Sequence, residues 1–341
     1  MIVKEYNLIM KIIRVICALT LTFAVAFTAL FGWKKISEES LDKTPSTYKG
    51  VITMWQIDCF EGGTGSRKQF LLKSARAFEK KNNGVLVMVT DYTIEGAKNA
   101  VKEGKVPDLI SYGIGAEQSG FVEINPKRVS KGGLVGEKCF ATAWCRGNYV
   151  LIYNTALVES VEGINHFDSL LVSQNEFTQP LTAFTLEGYS ANNVEIKKPM
   201  DAYVKFVSGK TPYFLATQRD VVRLKNRAFE FGMIALSEYC DLYQYVSVCS
   251  KDPVKSFYAQ EFVSYLLSDS VQTSLNGIGM YSDFTSANYD ETEYCLLQNT
   301  NAKHTVSAFT PAQKLKEMQE ISALAVKGDS VALNKIKNIL I

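Results

Sequence analysis

Histidine is nearly absent: the 341 residues hold only His166 and His304, far apart in the chain. That excludes a histidine-rich metal site and leaves few candidates for imidazole catalysis. The seven cysteines form no C-x-x-C pair, so zinc-ribbon and thioredoxin-type spacings are missing. The G-x-S-x-G elbow and the H-E-x-x-H helix are missing too, which removes the commonest signatures of an exported hydrolase. Excess charge is lacking: 37 basic residues against 35 acidic ones leave a net charge of +2. Nucleic-acid binders usually carry a clear basic excess, so no such partner is expected. There are no repeats and no low-complexity tracts. What is present is a chain 47% hydrophobic and 21% charged, able to build a packed core and long enough for two domains.

One long apolar run stands out. Residues 15–33, "VICALTLTFAVAFTALFGW", contain no charge. As a helix rising about 1.5 Å per residue, the run just spans a bilayer. Lys4, Lys11 and Arg14 precede it, and Trp33, Lys34 and Lys35 follow at an interface position. Ala24-Val25-Ala26 offers a cleavage site, and Cys17 lies too early to be a lipidated cysteine. Residues 1–36 therefore read as a cytoplasmic stub and transmembrane signal-anchor, or as a cleaved signal peptide. The polar stretch 37–49 reads as a linker. Everything after about residue 40 is expected outside the cytoplasm, on the extracellular face of the cell membrane or secreted.

The next segment alternates strand and helix. "GVITMW" is a β-branched strand opening at Gly50. Ser66-x-x-Gln69 has capping-box form, and Phe70, Leu71, Ala75 and Phe78 share a helical face. "KKNNG" stops that helix, and "VLVMVT" reads as a fully buried strand. "TIEGAKNAVKEG" is a short helix and "PDLISYG" another strand. This βαβαβ order argues for a parallel sheet covered by helices. Farther on, "YVLIYN" and "PYFLATQ" read as strands and "DVVRLKNRAFEFGMIALSEY" as helix. "SFYAQEFVSYLL" is an apolar helix, "SDSVQTSL" a short helix capped by Ser268, and the tail from about 310 is helical.

Between the first strand and first helix lies "GGTGSR", residues 62–67. Ligands of open α/β sheets bind at the carboxyl ends of strands. As a phosphate loop it is deficient: no Gly-Lys-Ser/Thr follows, and Lys68 stands where a dinucleotide fingerprint needs its third glycine. The loop reads as the rim of some other ligand site, and no cofactor is called for.

Four segments, in order, resemble the extracellular solute-binding proteins of ABC importers, the group that includes maltose-binding protein. They are "GVITMW" with "FLLKSARAFEKKNNGVLVMV", then "GKVPDLISYG", then "RGNYVLIYNT", then "AQEFVSYLLSDSVQTSLNGIGMYS". Together they span about 50–285. Two departures are the missing lipobox cysteine and a short second domain. The resemblance implies an α/β, two-lobed periplasmic-binding-protein-like type II fold with crossing hinge strands. Lobe 1 would be 50–147 and 247–300; lobe 2 would be 148–246 and 301–341. It also implies a ligand clamped between the lobes by hinge bending, a carbohydrate by preference, and ABC permease subunits as partners.

The residues expected at the ligand are Trp55, Gln56 and Asp58 after the first strand, and Ser111 and Tyr112 (with Gly113) after the third. Trp144 and Arg146 precede the crossover, and Gln218 and Arg219 open a helix of the second lobe. An indole suits the C–H face of a sugar, and Asp, Gln and Arg suit its hydroxyls. Each has a plainer reading: Trp55 and Trp144 as core, Arg146 as an interlobe ion pair, Asp220 as a helix cap. Thr217 belongs to the same strand-to-helix junction, and Glu187 and Tyr189 are weaker candidates. The six cysteines beyond the apolar run admit 15 complete pairings. Cys139 with Cys145 and Cys240 with Cys249 are the locally plausible pairs; buried free thiols are the alternative. Three functions stay open: a solute receptor feeding an importer, an exported enzyme acting on glycosides through paired carboxylates, and a membrane-tethered sensor without transport.

Overall fold

The structure, a computed structural model, describes residues 16–23, 48–284 and 289–341. Residues 50–81 with 85–341 form one compact unit, and residues 1–49 with 82–84 form another. In the smaller unit the described part of the apolar run, residues 16–23, is helical and exposed. The rest of the run, the Ala24–Ala26 cleavage site and most of the linker lie outside the described residues. Among the described residues no helix is long and apolar enough to cross a membrane.

The βαβαβ order predicted for the first segment is present. It comprises β1 (Gly50–Ile57), α1 (Arg67–Lys81), β2 (Val85–Tyr92), α2 (Ile94–Lys102) and β3 (Leu109–Tyr112). Ser66 opens α1 as expected, accepting from the Gln69 amide at 3.3 Å. β1 runs parallel to β2 on one side and β3 on the other. β2 is not fully buried: Leu86 and Met88 are each 54% exposed while Val85, Val87 and Val89 are buried. It is the edge strand, and it buries only alternate residues. Past a two-stranded ribbon of β4 (Leu134–Val135) and β5 (Lys138–Cys139), the sheet continues through β12 (Tyr243–Val248) to β6 (Thr142–Arg146), in the order β2-β1-β3-β12-β6. β12 runs antiparallel to both of its neighbours. The chain thus re-enters this sheet at Tyr243. α6 (Pro253–Leu266) covers it beside α1, with Phe78 and Phe262 in edge contact at 5.2 Å.

The second sheet has the order β11-β7-β10-β8-β9. Its strands are β7 (Tyr149–Asn154), β8 (His166–Ser173), β9 (Ser190–Lys197), β10 (Tyr213–Thr217) and β11 (Phe231–Ala235). β8, β9 and β10 are parallel, and β7 opposes β10 and β11. α3 (Pro180–Leu186), α4 (Pro199–Val207) and α5 (Gln218–Asn226) connect them. One correction falls here: the helix predicted through 220–239 stops at Asn226. Ala228 takes a positive φ of 53°, and residues 231–235 pair as a strand with β7. Their apolar run is drawn into the sheet, overriding helical propensity.

The core of this second lobe gathers Val150, Ile152, Phe206, Phe214 and Leu224, and it also takes in Tyr281 and Leu297. Leu297 lies on α8 (Thr292–Asn299), so that helix packs with the second lobe. α7 (Asp269–Gln272) begins after Ser268, whose hydroxyl donates to the Tyr265 carbonyl instead of capping the helix. The C-terminal α9 (Ala312–Ala325) lies on α3: Gln179 Nε2 donates to the Leu315 carbonyl at 2.8 Å, and the Thr182 and Ser322 hydroxyls meet at 2.7 Å. α10 (Ser330–Lys337) ends the fold. The lobes are joined where β6 passes into β7 through Gly147-Asn148, where β11 returns to β12, and near Tyr281, which pairs with Arg146.

No cysteine is paired. Cys240 and Cys249 flank opposite ends of β12, and a strand of that length separates its ends by far more than the Cα spacing a disulfide allows. Cys139 instead donates to the Ala141 carbonyl at 3.2 Å.

Candidate functional site

The predicted residues fall into groups. Around the end of β1, the Gln56 amide donates to Asp58 Oδ1 at 2.7 Å, and Asp58 pairs with Arg67 Nε at 2.8 Å. Arg67 is 3% exposed, lies 4.3 Å over the Phe60 ring and donates to the Phe60 carbonyl and to Gln244 Oε1. Gln244 in turn donates to Ser111 Oγ at 3.0 Å, which also accepts from the Trp144 indole at 2.9 Å. Gln56, Asp58, Ser111 and Trp144 are therefore one connected network of the first lobe, assembled by Arg67 and Gln244. Those two assemblers were missed in the sequence. Arg67 is adjacent to the helix start, and the charge of Asp58 nine residues earlier was the available signal.

Both tryptophans are buried. Trp144 has 0% exposure and stacks on Phe70 at 5.6 Å; Trp55 has 5% and packs against Tyr92 at 4.7 Å. Tyr112 is buried with its hydroxyl 3.1 Å from Ser247 Oγ. In this conformation these three rings are packing residues.

Arg146 and Gln218 meet at the first crossing. Asn148 bridges them: its amide N–H donates to Gln218 Oε1 at 2.9 Å, and its side-chain oxygen accepts from Arg146. Arg146 also donates to the Gln298 carbonyl and Asn301 Oδ1, and its Nε lies 3.7 Å from Asp283. It thus fastens the first crossing to the third. Glu187 accepts from the Ser237 and Glu238 amides, tying α3 to the return toward β12. Tyr189 packs edge-on to Phe167.

The carboxyl ends of the two sheets touch at three places. Gly115, after β3, lies so close to Phe177, after β8, that a Cβ there would strike the ring. Arg219 donates to the carbonyl of Gly63 in the glycine-rich loop. Gly63 itself leaves no room for a side chain beside the Gly279 carbonyl. Arg223 on α5 grips both oxygens of Glu61 at 2.8 and 2.9 Å. The glycine loop is thus a rim pressed against the second lobe. Asp220 caps α5 in a full box with Thr217 and also meets Arg223 at 3.1 Å. Burial pushes its carboxyl up to about 7, against the pull of Arg223.

Just behind Phe177, Asp241 is wholly buried. It accepts from the Tyr149 hydroxyl at 2.7 Å, the Gln179 amide at 2.9 Å and the Tyr239 hydroxyl at 3.2 Å. Burial raises it to about 6 although those donors favour the ionised form. Two amide oxygens near these ends, Gln56 Oε1 and Gln179 Oε1, are buried and have no hydrogen-bond partner among the described residues. Among the described residues no three His, Cys, Asp or Glu side chains gather closely enough to hold a metal ion.

No protein-family model matches the sequence, and no curated protein matches it. Solved structures do match the fold. Iron-bound HitA from Pseudomonas aeruginosa aligns over 80% of this chain and 99% of its own, with 15% identity and a TM-score of 0.53. The GacH receptor of Streptomyces glaucescens, solved unliganded and with acarbose, aligns over 86% and 97%, with 12% identity and a TM-score of 0.52. The galacto-N-biose/lacto-N-biose I-binding protein of a Bifidobacterium longum ABC transporter aligns over 87% and 96%, with 13% identity and a TM-score of 0.53. The chain has the two-lobed type II fold of these binding proteins.

Proposed function

We propose that this chain is an extracellular solute-binding protein that captures a small carbohydrate between its lobes and delivers it to an ABC importer. The observation that carries the reading is the pair of partnerless amide oxygens, Gln56 Oε1 and Gln179 Oε1. One belongs to each lobe, near the carboxyl ends of the parallel strands. A buried acceptor without a donor costs on the order of 1–3 kcal/mol, and sugar hydroxyls are donors of the right kind. Gln56, Asp58, Glu61, Phe177, Gln179 and Arg219 form the proposed walls, with Trp55 and Tyr112 behind them. Trp144, Ser111, Arg146 and Gln218 hold those walls in place. Closure would be hinge bending about the crossings, with ligand selecting the closed state.

Of the three structures described above, one was solved with acarbose, one with lacto-N-biose and one with iron. Walls rich in side chains that suit hydroxyl groups favour sugar. The apolar run 15–33 serves as the membrane tether or export signal, placing the lobes on the outer face of the membrane. The test is a panel of mono- to tetrasaccharides and ferric citrate, read by thermal shift on the full chain in detergent. A saccharide should raise the melting temperature with no product formed. A shift by ferric ion alone, or turnover of a glycoside, would replace this reading.

A further inference from the structure

A cavity of about 320 Å³ opens beside α5, and none of the residues proposed for the sugar lines it. Thr64 of the first lobe's rim loop borders it, and so do Val222 and Asn226 of α5. Its remaining wall is unusual in composition. Beside Asn276 and Gly279, it is lined by Tyr281, Tyr289 and Tyr294 together with Asp290 and Glu291.

The rings are tilted against one another. Tyr281 and Tyr289 have centroids 5.3 Å apart and planes at 60°; Tyr289 and Tyr294 are 5.7 Å apart at 56°. A pyranose stacks on a flat ring face. Rings tilted this way suit a rounded group instead. Their electron-rich faces attract a cation held within about 6 Å of the centroid. The molecule already uses them so: Lys225 Nζ lies 5.2 Å from the Tyr294 centroid, and the Arg146 guanidinium 5.6 Å from that of Tyr281. The Tyr289 hydroxyl donates to the Met280 carbonyl at 2.8 Å, which fixes the orientation of its ring.

Charge agrees with ring geometry. Lys225 is shared by Glu291 at 2.6 Å and Glu293 at 2.7 Å, so two carboxylates face one ammonium. Asp290, an exposed residue of the lining, forms no ion pair with any described residue. Asp290, Glu291 and Glu293 thus set three carboxylates against the single Lys225 ammonium beside the Tyr289 and Tyr294 rings, while Arg146 lies over Tyr281.

We propose that this cavity is a second binding site, for a small organic ammonium ion of the size and shape of choline. Because its walls come from both lobes, the bound cation touches both.

The test uses the full chain in detergent at fixed ionic strength, titrated with choline chloride by calorimetry. Choline should bind saturably at one site. Its uncharged isostere, 3,3-dimethylbutan-1-ol, should bind at least tenfold more weakly. Tyr294→Leu and Asp290→Asn should each weaken choline at least tenfold, and Tyr294→Phe should change it by less than threefold. Melting curves verify that each variant is folded; should Tyr294→Leu fail to fold, the comparison of the two ligands on the native protein decides. No saturable binding, equal affinity for the isostere, or a folded Tyr294→Leu protein with unchanged affinity would each overturn the proposal. Saccharide binding without choline binding would overturn it while leaving the transport reading intact.

Discussion

Arg223 of the second lobe and Glu61 of the first form a forked ion pair, with both guanidinium nitrogens 2.8–2.9 Å from the carboxylate oxygens. Together with Arg219 on the Gly63 carbonyl, the pair latches the rim of one lobe to the start of α5 in the other. Arg223 is 13% and Glu61 30% exposed, so solvent screens the pair only in part.

The latch should bias the lobes toward closure. Hydrogen bonds to charged groups contribute about 1.5–3 kcal/mol when buried, and exposed pairs about 0–1. Glu61→Gln should therefore shift the closure equilibrium by about 1–2 kcal/mol, or roughly 5- to 30-fold. Small-angle scattering of the ligand-free protein should show a larger radius of gyration for the variant. An unchanged profile would mean that the latch does not hold the lobes together.

Trp144 should behave as a core residue. Truncation to Ala removes a ring with 0% exposure that stacks on Phe70, and should cost about 3–5 kcal/mol of stability. Denaturant melts measure this directly. A near-normal melt with lost ligand affinity would instead place the indole in the cleft.

Asp220 should make stability fall as pH rises. Its carboxyl goes from an ordinary 3.8 to about 7 in the folded protein because of burial. Between those values the folded state holds more protons than the unfolded state, so stability declines as pH increases and levels off above about 7. Asp220→Asn removes this dependence. The melting temperature of the variant, relative to the native protein, should rise between about pH 5 and pH 8. A difference constant across that range would contradict the assignment.

Cys240 and Cys249 should be inert thiols. Burial raises both to about 12, so little thiolate exists at neutral pH. Iodoacetamide should modify them only after unfolding, and the intact mass should match the reduced protein. A mass lowered by a disulfide would contradict the unpaired arrangement.

The first lobe was the most legible part of the chain. Its strands and helices alternate in apolar pattern, and Ser66 marks the start of α1 as the capping pattern indicates. Residues 228–239 were not legible, because a short apolar run such as "FGMIA" suits helix and strand equally until β7 is there to pair with it. At the site, sequence identified polar and aromatic residues near strand ends. It did not reveal that Trp144 turns inward to Ser111, or that Arg67 and Gln244 organise the network. Those facts depend on contacts between residues as far apart as 67 and 244. The Arg223–Glu61 pair was equally hidden, since nothing local couples 61 to 223.

The central claim is capture between hinged lobes, and calorimetry with the saccharide that gives the largest thermal shift tests it most directly. The account predicts one site per chain, no product, a smaller radius of gyration on saturation, and roughly tenfold or greater weakening by Gln179→Ala, on the scale of one lost hydrogen bond to ligand. Binding that leaves the scattering profile unchanged and survives Gln179→Ala at full affinity would contradict it.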